Sequence, residues 1–241
     1  MKRRVWFDGG GEAAAMLRQT SYILQDLRKP LRSGREVRVI LLHGLYAAAG
    51  VFRPLRERIE RELGLGTASF SYAVGPGIRA LSERTTGFVR ELSPGGPVFL
   101  VGHSVGGLVA CHAAYFGGLR GCVAGTISLA SPFLGSRRSW LAPGPIGRDI
   151  RIGAPLLSEL KRGPLAAEGL RHVSVIAKED ALIESDAFPD FGERIALEGI
   201  GHNQILFDER AQDIVAERLR RWTEGPESPL SPSTCRETAT P

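Results

Sequence analysis

A buried-strand pattern running without a break into Gly102-His103-Ser104-Val105-Gly106 constrains this chain more than any other feature. Pro97–Val101 (PVFLV) is an apolar run of the kind found in a parallel strand covered on both faces. Leu108–Phe116, just beyond the turn, has the composition of a packed helix. A strand that turns at once into a helix forces the residue at the turn into strained backbone geometry. Its neighbours two positions away must be small for the segments to pass. Gly102 and Gly106 meet that demand, and Gly107 adds room. Ser104 then stands clear of the sheet at the positive end of a helix, a suitable place for a nucleophilic hydroxyl.

The rest of the chain alternates in the same manner. Val37–Leu42, Ala68–Tyr72, Cys122–Leu129, Val173–Ala177 and Arg194–Leu197 read as further strands. Residues 51–63, 78–92 and Ile205–Trp222 read as amphipathic helices between or after them. An additional helix is expected over 12–29, with Met16, Leu17, Ile23, Leu24 and Leu27 as its apolar positions and Pro30 as its stop. Alternation of this kind predicts an α/β architecture: a mostly parallel sheet of about six strands with helices on both faces. The stretch 132–168 breaks the alternation and reads as a small lid-like insertion. The expected organisation is an N-terminal helical segment over 1–36, a catalytic domain over 37–224, and a disordered Pro/Ser/Thr-rich tail over 225–241.

A serine hydroxyl needs a base, and the base needs a carboxylate to orient it. With a nucleophile turn of this type, the chain order is Ser, then Asp or Glu, then His. Five histidines are available. His43 and His103 precede the serine, His112 lies along the following helix, and His172 opens a strand at the wrong edge. His202 follows the last strand in a Gly201-His202 loop and is the expected base. The carboxylate should follow the strand at 173–177, where Glu179, Asp180, Glu184 and Asp186 all stand. Asp180 fits best, one short loop past the strand end, with Glu179 and Asp186 as alternatives. Acyl transfer also needs donors for the oxyanion. The N–H groups of Val105 and Leu45 are expected to supply them, with Tyr46 as an alternative to Leu45, and His43 either packs the loop or helps shape the hole.

Composition narrows the class. Hydrophobic residues make up 43% of the 241 and charged residues 24%, as in a globular domain with one sizeable core. No apolar run reaches the roughly 18 residues of a membrane span, and Met-Lys-Arg-Arg is not followed by the apolar region of a signal peptide. The formal charge of +5 comes mostly from arginines spread along helices. With no basic run interleaved with aromatics, nucleic acid is not an expected partner. Cys111, Cys122 and Cys235 lack the spacing of a metal site or a disulfide framework. The first two read as packing residues, and a cytoplasmic location is expected.

Four stretches resemble the α/β-hydrolase superfamily, and within it the bacterial lipase and carboxylesterase group. They are His43-Gly44-Leu45, Gly102-His103-Ser104-Val105-Gly106-Gly107, Ser131-Pro132-Phe133-Leu134-Gly135-Ser136 and Gly201-His202. Phe133 stands where that group usually has histidine. Ile152-Gly153-Ala154-Pro155-Leu156-Leu157-Ser158-Glu159-Leu160 is similar to the segment that follows in the same proteins. The resemblance implies the α/β-hydrolase fold and a serine esterase that needs no cofactor or metal. Its catalytic residues would be Ser104, Asp180 and His202, acting on a small-molecule ester or lipid without stable membrane insertion. Tyr46, His103, Phe133, Trp140, Leu156 and Leu157 are candidate pocket residues. An acyltransferase or thioesterase could use the same constellation, and a non-catalytic binding module could retain it.

Overall fold

The apolar runs become the middle of a seven-stranded sheet. The structure, a computed structural model, describes residues 9–26, 31–33, 36–92, 95–119, 122–162, 170–183 and 191–224. In chain order the elements are α1 (Gly9–Asp26), β1 (Leu31–Ser33), β2 (Val37–Leu42), α2 (Arg53–Leu63), β3 (Gly66–Ser69), α3 (Ile78–Leu92), β4 (Val98–His103), α4 (Val105–Tyr115), β5 (Val123–Leu129), α5 (Gly144–Asp149), α6 (Pro155–Arg162), β6 (Arg171–Ala177), β7 (Glu193–Leu197) and α7 (Glu209–Glu224). The spatial order is β1-β3-β2-β4-β5-β6-β7. Every pairing is parallel except that of β1 with β3.

The alternation of side chains along the central strands sorts the core into two halves. Ile40 and Leu42 of β2 join Val98 and Leu100 of β4 on one face, under α3, α4 and α6. Val39 and Leu41 join Phe99 and Val101 on the other, under α2 and α7. Both faces being covered explains why β2 and β4 read as continuous apolar runs rather than alternating ones.

The architecture is the expected one, with a strand beyond the expected six. β1 is three residues long (LRS) and only half buried, so it carries no strand pattern of its own; its pairing with β3 defines it. The last helix divides. A 3-10 turn at Gln204–Leu206 precedes α7, and Asp208 Oδ1 between them accepts the N–H groups of Arg210 and Ala211 at 3.0 and 3.2 Å. Helix α1 does not bury the face its sequence suggests. Met16, Leu17 and Leu24 are exposed, whereas Ala15 and the polar Gln19 are buried. Leu27, Pro30, Glu184, Asp186 and the 225–241 tail lie outside the described residues.

Cys111 is a buried free thiol. Cys122 is disulfide-bonded, which its spacing does not suggest, and it is also buried in the same core as Cys111, so both inner cysteines pack as expected. A disulfide is the less usual state in a reducing compartment, and unpaired cysteines therefore no longer support the cytoplasmic expectation. Among the described residues, no helix is long and apolar enough to cross a membrane.

Candidate active site

Strand β4 ends at His103 and α4 begins at Val105, leaving Ser104 as the whole connection. Its φ of 54° and ψ of −124° fall where side-chain-bearing residues rarely go. The Ser104 N–H donates to the Leu129 carbonyl at 2.8 Å, tying the turn to the end of β5. Close packing leaves no room for a relaxed alternative. A Cβ on Gly102 would lie 2.3 Å from the Gly106 backbone, and one on Gly106 would lie 2.0 Å from the Leu42 carbonyl oxygen. The strand-to-helix turn thus depends on both glycines, for the steric reason the spacing implies.

His202 lies in the loop between β7 and the 3-10 turn. Its Nδ1 is 2.6 Å from Asp180 Oδ2. An ionised carboxylate only accepts, so Nδ1–H is the donor and the neutral ring keeps its lone pair on Nε2. The other oxygen of Asp180 accepts the N–H groups of Leu182 and Ile183 at 2.7 and 2.9 Å, which fixes the carboxylate. The alternative carboxylate, Glu179, is engaged elsewhere. Its Oε2 accepts the N–H groups of Gly199 and Ile200 at 2.6 and 3.1 Å.

His103 and His202 have ring centroids 4.9 Å apart. His103 Nε2 donates to the His202 carbonyl at 2.9 Å, while its buried Nδ1 has no partner among the described residues. Burial, and then the neighbouring His202, lower the His103 pKa to about 3, so this ring stays neutral. His43, after β2, is lowered to about 4, mainly by burial. Its Nδ1 bonds the Gly44 carbonyl at 2.8 Å and its Nε2 accepts the Tyr72 N–H at 3.1 Å. The Tyr72 ring stacks on it at 3.8 Å. His43 therefore stiffens the loop that carries Gly44, Leu45 and Tyr46. His172 is remote: it bonds Thr126 and Ser174 at 2.7 and 2.8 Å inside the core, and burial lowers it to about 3.

Ser104 and His202 line one cavity of about 270 Å³, together with Leu45, Tyr46, His103 and Val105. Tyr46 adopts a positive φ of 58°, and its hydroxyl donates to the Leu141 carbonyl at 2.6 Å, linking the β2 loop to the insertion. Four expected wall residues are elsewhere. Phe133, Leu156 and Leu157 are core, with Phe133 set edge-on against His172 and Phe191. Trp140 points outward and is 75% exposed. The insertion serves the cavity through other residues, among them Arg138, Leu141, Ala142 and Ile150. Among the described residues, no group of three or more His, Cys, Asp or Glu side chains could hold a metal ion.

No protein-family model and no curated protein matches the chain. Solved structures do resemble it. The mature form of Bacillus licheniformis lipase BlEst2 matches with a TM-score of 0.67 and 12% identity, over 79% of this chain and 97% of that one. Aspergillus fumigatus lipase B matches at 0.66 and 17% identity, over 83% of this chain and 56% of that one. A thermophilic esterase from Thermogutta terrifontis, with malate bound, matches at 0.59 and 17% identity, over 80% of this chain and 93% of that one. The chain has the α/β-hydrolase fold.

On this α/β-hydrolase scaffold, besides the insertion residues and Asn203, two groups of cavity residues escape a reading of the sequence. Leu182 and Ile183 come from the loop that carries Asp180. Met16, Gln19, Thr20 and Ile23 come from α1, which the sequence pattern sets apart as an N-terminal segment. Position after a strand could signal the first pair. Nothing local signals the second, because α1 meets the site only through the tertiary fold.

Proposed function

We propose that this protein is a serine hydrolase that cleaves carboxylic esters through an acyl-serine intermediate. The observation that carries the reading is the His202 Nδ1–Asp180 Oδ2 contact of 2.6 Å on a residue sharing a cavity with Ser104, which occupies a strained strand-to-helix turn. In this reading Ser104 Oγ attacks the ester carbonyl carbon while His202 Nε2 takes the hydroxyl proton. Asp180 holds the ring and stabilises the imidazolium. The Val105 and Leu45 N–H groups receive the oxyanion, where donors already in place avoid reorganisation during reaction. The tetrahedral adduct collapses as His202 protonates the leaving alkoxide. Water, activated by the same ring, then releases the acid and restores Ser104. The fold, shared with a lipase and an esterase, supports the reading, as does a cavity lined by both aliphatic side chains and the candidate machinery.

The test is labelling of the purified protein with a fluorophosphonate, beside Ser104→Ala, together with turnover of p-nitrophenyl esters of rising chain length. Labelling at Ser104 is expected, with turnover about 10⁴-fold or more lower in the alanine variant. A cavity near the lower end of the usual ~300–1,000 Å³ range predicts best turnover with short and medium acyl chains. A folded protein that neither labels nor turns over any ester would sink the proposal.

A further inference from the structure

The peptide bond that follows His202 is gripped at both ends. Its carbonyl accepts from His103 Nε2 at 2.9 Å. Its N–H, that of Asn203, donates to Glu12 Oε1 at 2.8 Å. In a trans peptide these two groups point in opposite directions, so His103 and Glu12 act from opposite sides. Glu12, in the first turn of α1, makes further bonds. The Asn203 side-chain amide donates to the same oxygen at 2.7 Å, and the Gln204 N–H donates to Oε2 at 3.3 Å. Gln204 in turn accepts the Gly201 N–H at 2.6 Å. A loop lacks the regular ladder that fixes helices and strands, and here three backbone donors around His202 are met by side chains instead. Bonds to a carboxylate are the stronger kind.

We propose that Glu12 is a positioning residue for His202, acting through the His202–Asn203 peptide to keep the ring between Asp180 and Ser104. This rests on His202 being the general base. The same helix supplies Met16, Gln19, Thr20 and Ile23 to the cavity wall. Thus α1 has two separable contributions: its middle shapes where substrate sits, and its first turn sets where the base sits. Removing Glu12 leaves the wall in place and loosens the ring, so the loss falls on kcat and not on KM. A misplacement of about 1 Å can cost about 100-fold in rate.

The experiment compares Glu12→Ala, Glu12→Asp and Glu12→Gln with the parent protein. It measures kcat and KM for one p-nitrophenyl ester, reactive sites counted by fluorophosphonate titration, and thermal melting as the control for folding. Glu12→Ala should lower kcat per titrated site about 10- to 100-fold with KM changed less than about twofold. Glu12→Asp, one methylene short, should follow it. Glu12→Gln, which keeps an acceptor for Asn203, should recover most of the rate. If the alanine variant fails to fold, the contrast between Asp and Gln decides on its own. Unchanged kcat per site in folded Glu12→Ala or Glu12→Asp overturns the proposal, and so does a loss confined to KM. With the parent protein labelled at Ser104, those results leave the hydrolase reading standing. A parent protein with no labelling at Ser104 removes both.

Discussion

Ser104 sits where the backbone has no alternative, while His202 is held by a set of polar side chains drawn from four parts of the chain. At the serine turn, the Gly102 and Gly106 backbones meet at distances that would exclude a methyl group, and the strain at φ 54° is enforced by packing. At the histidine loop the close neighbours are side chains and not backbone: a Cβ on Gly201 would lie 2.6 Å from Glu12 Oε2. Asp180 holds the ring, His103 and Glu12 hold the following peptide, and Gln204 holds the preceding N–H. Steric restraint is short-ranged and insensitive to pH. Hydrogen-bonded restraint can be dismantled one bond at a time. One site thus combines a part that fails all at once with a part that degrades by degrees.

That contrast can be sharpened by removing one member from each part. Asp180→Asn should lower kcat by about 10³- to 10⁴-fold and shift the melting temperature little, because an amide oxygen can still accept the Leu182 and Ile183 N–H groups. Steady-state kinetics beside a thermal melt checks it, and a rate within tenfold of the parent would contradict a hydrogen-bonded base. Gly106→Ala should do the reverse and act on the fold. Its Cβ would stand 2.0 Å from a backbone carbonyl that cannot rotate away, so a loss of about 3 kcal/mol or more is expected in chemical denaturation. Parent-like stability there would break the steric account of the turn.

A third effect follows from acid. His103 and His172 are lowered to about 3 and His43 to about 4, chiefly by burial. In the unfolded chain each titrates near 6.5. As pH falls from about 6.5 to about 4, the unfolded state binds protons that the folded state refuses, and stability drops by up to about 1.4 kcal/mol per pH unit for each histidine. The effect levels off below about pH 3, where both states are protonated. Melting temperatures at pH 7, 5.5 and 4 should therefore fall steadily, and a flat series would show that these rings are not held neutral.

The two parts also differ in how much of them can be read along the chain. The strand, Ser104 and its glycines are contiguous, and the close approach of Gly102 and Gly106 acts within a few residues, so the sequence shows the turn, while its contacts with Leu42 and Leu129 come from the neighbouring strands. The same holds for β2 and β4, whose apolar runs reflect burial on both faces. The choice of Asp180 over Glu179 depends on which carboxylate turns toward the ring and which turns toward Gly199 and Ile200, a matter of loop path rather than spacing. Helix α1 is legible as a helix and not as to its buried face. Its packing partners are the 3-10 turns at Ala49–Phe52 and Gln204–Leu206, whose arrangement no periodicity encodes. For the same reason Phe133, Leu156 and Leu157 go to the core, and the cavity wall draws on residues the alternation pattern leaves aside.

Glu12 and Asn203 are 191 positions apart in the chain. During synthesis the α1 carboxylate leaves the ribosome long before the loop it grips exists, and every strand of the sheet is translated in the interval. The α1 part of the pocket wall and the histidine loop can meet only after all the strands of the sheet have been made. Until then Ser104 has no histidine loop to share a cavity with, because β5, β6 and β7 all lie between the two in the chain.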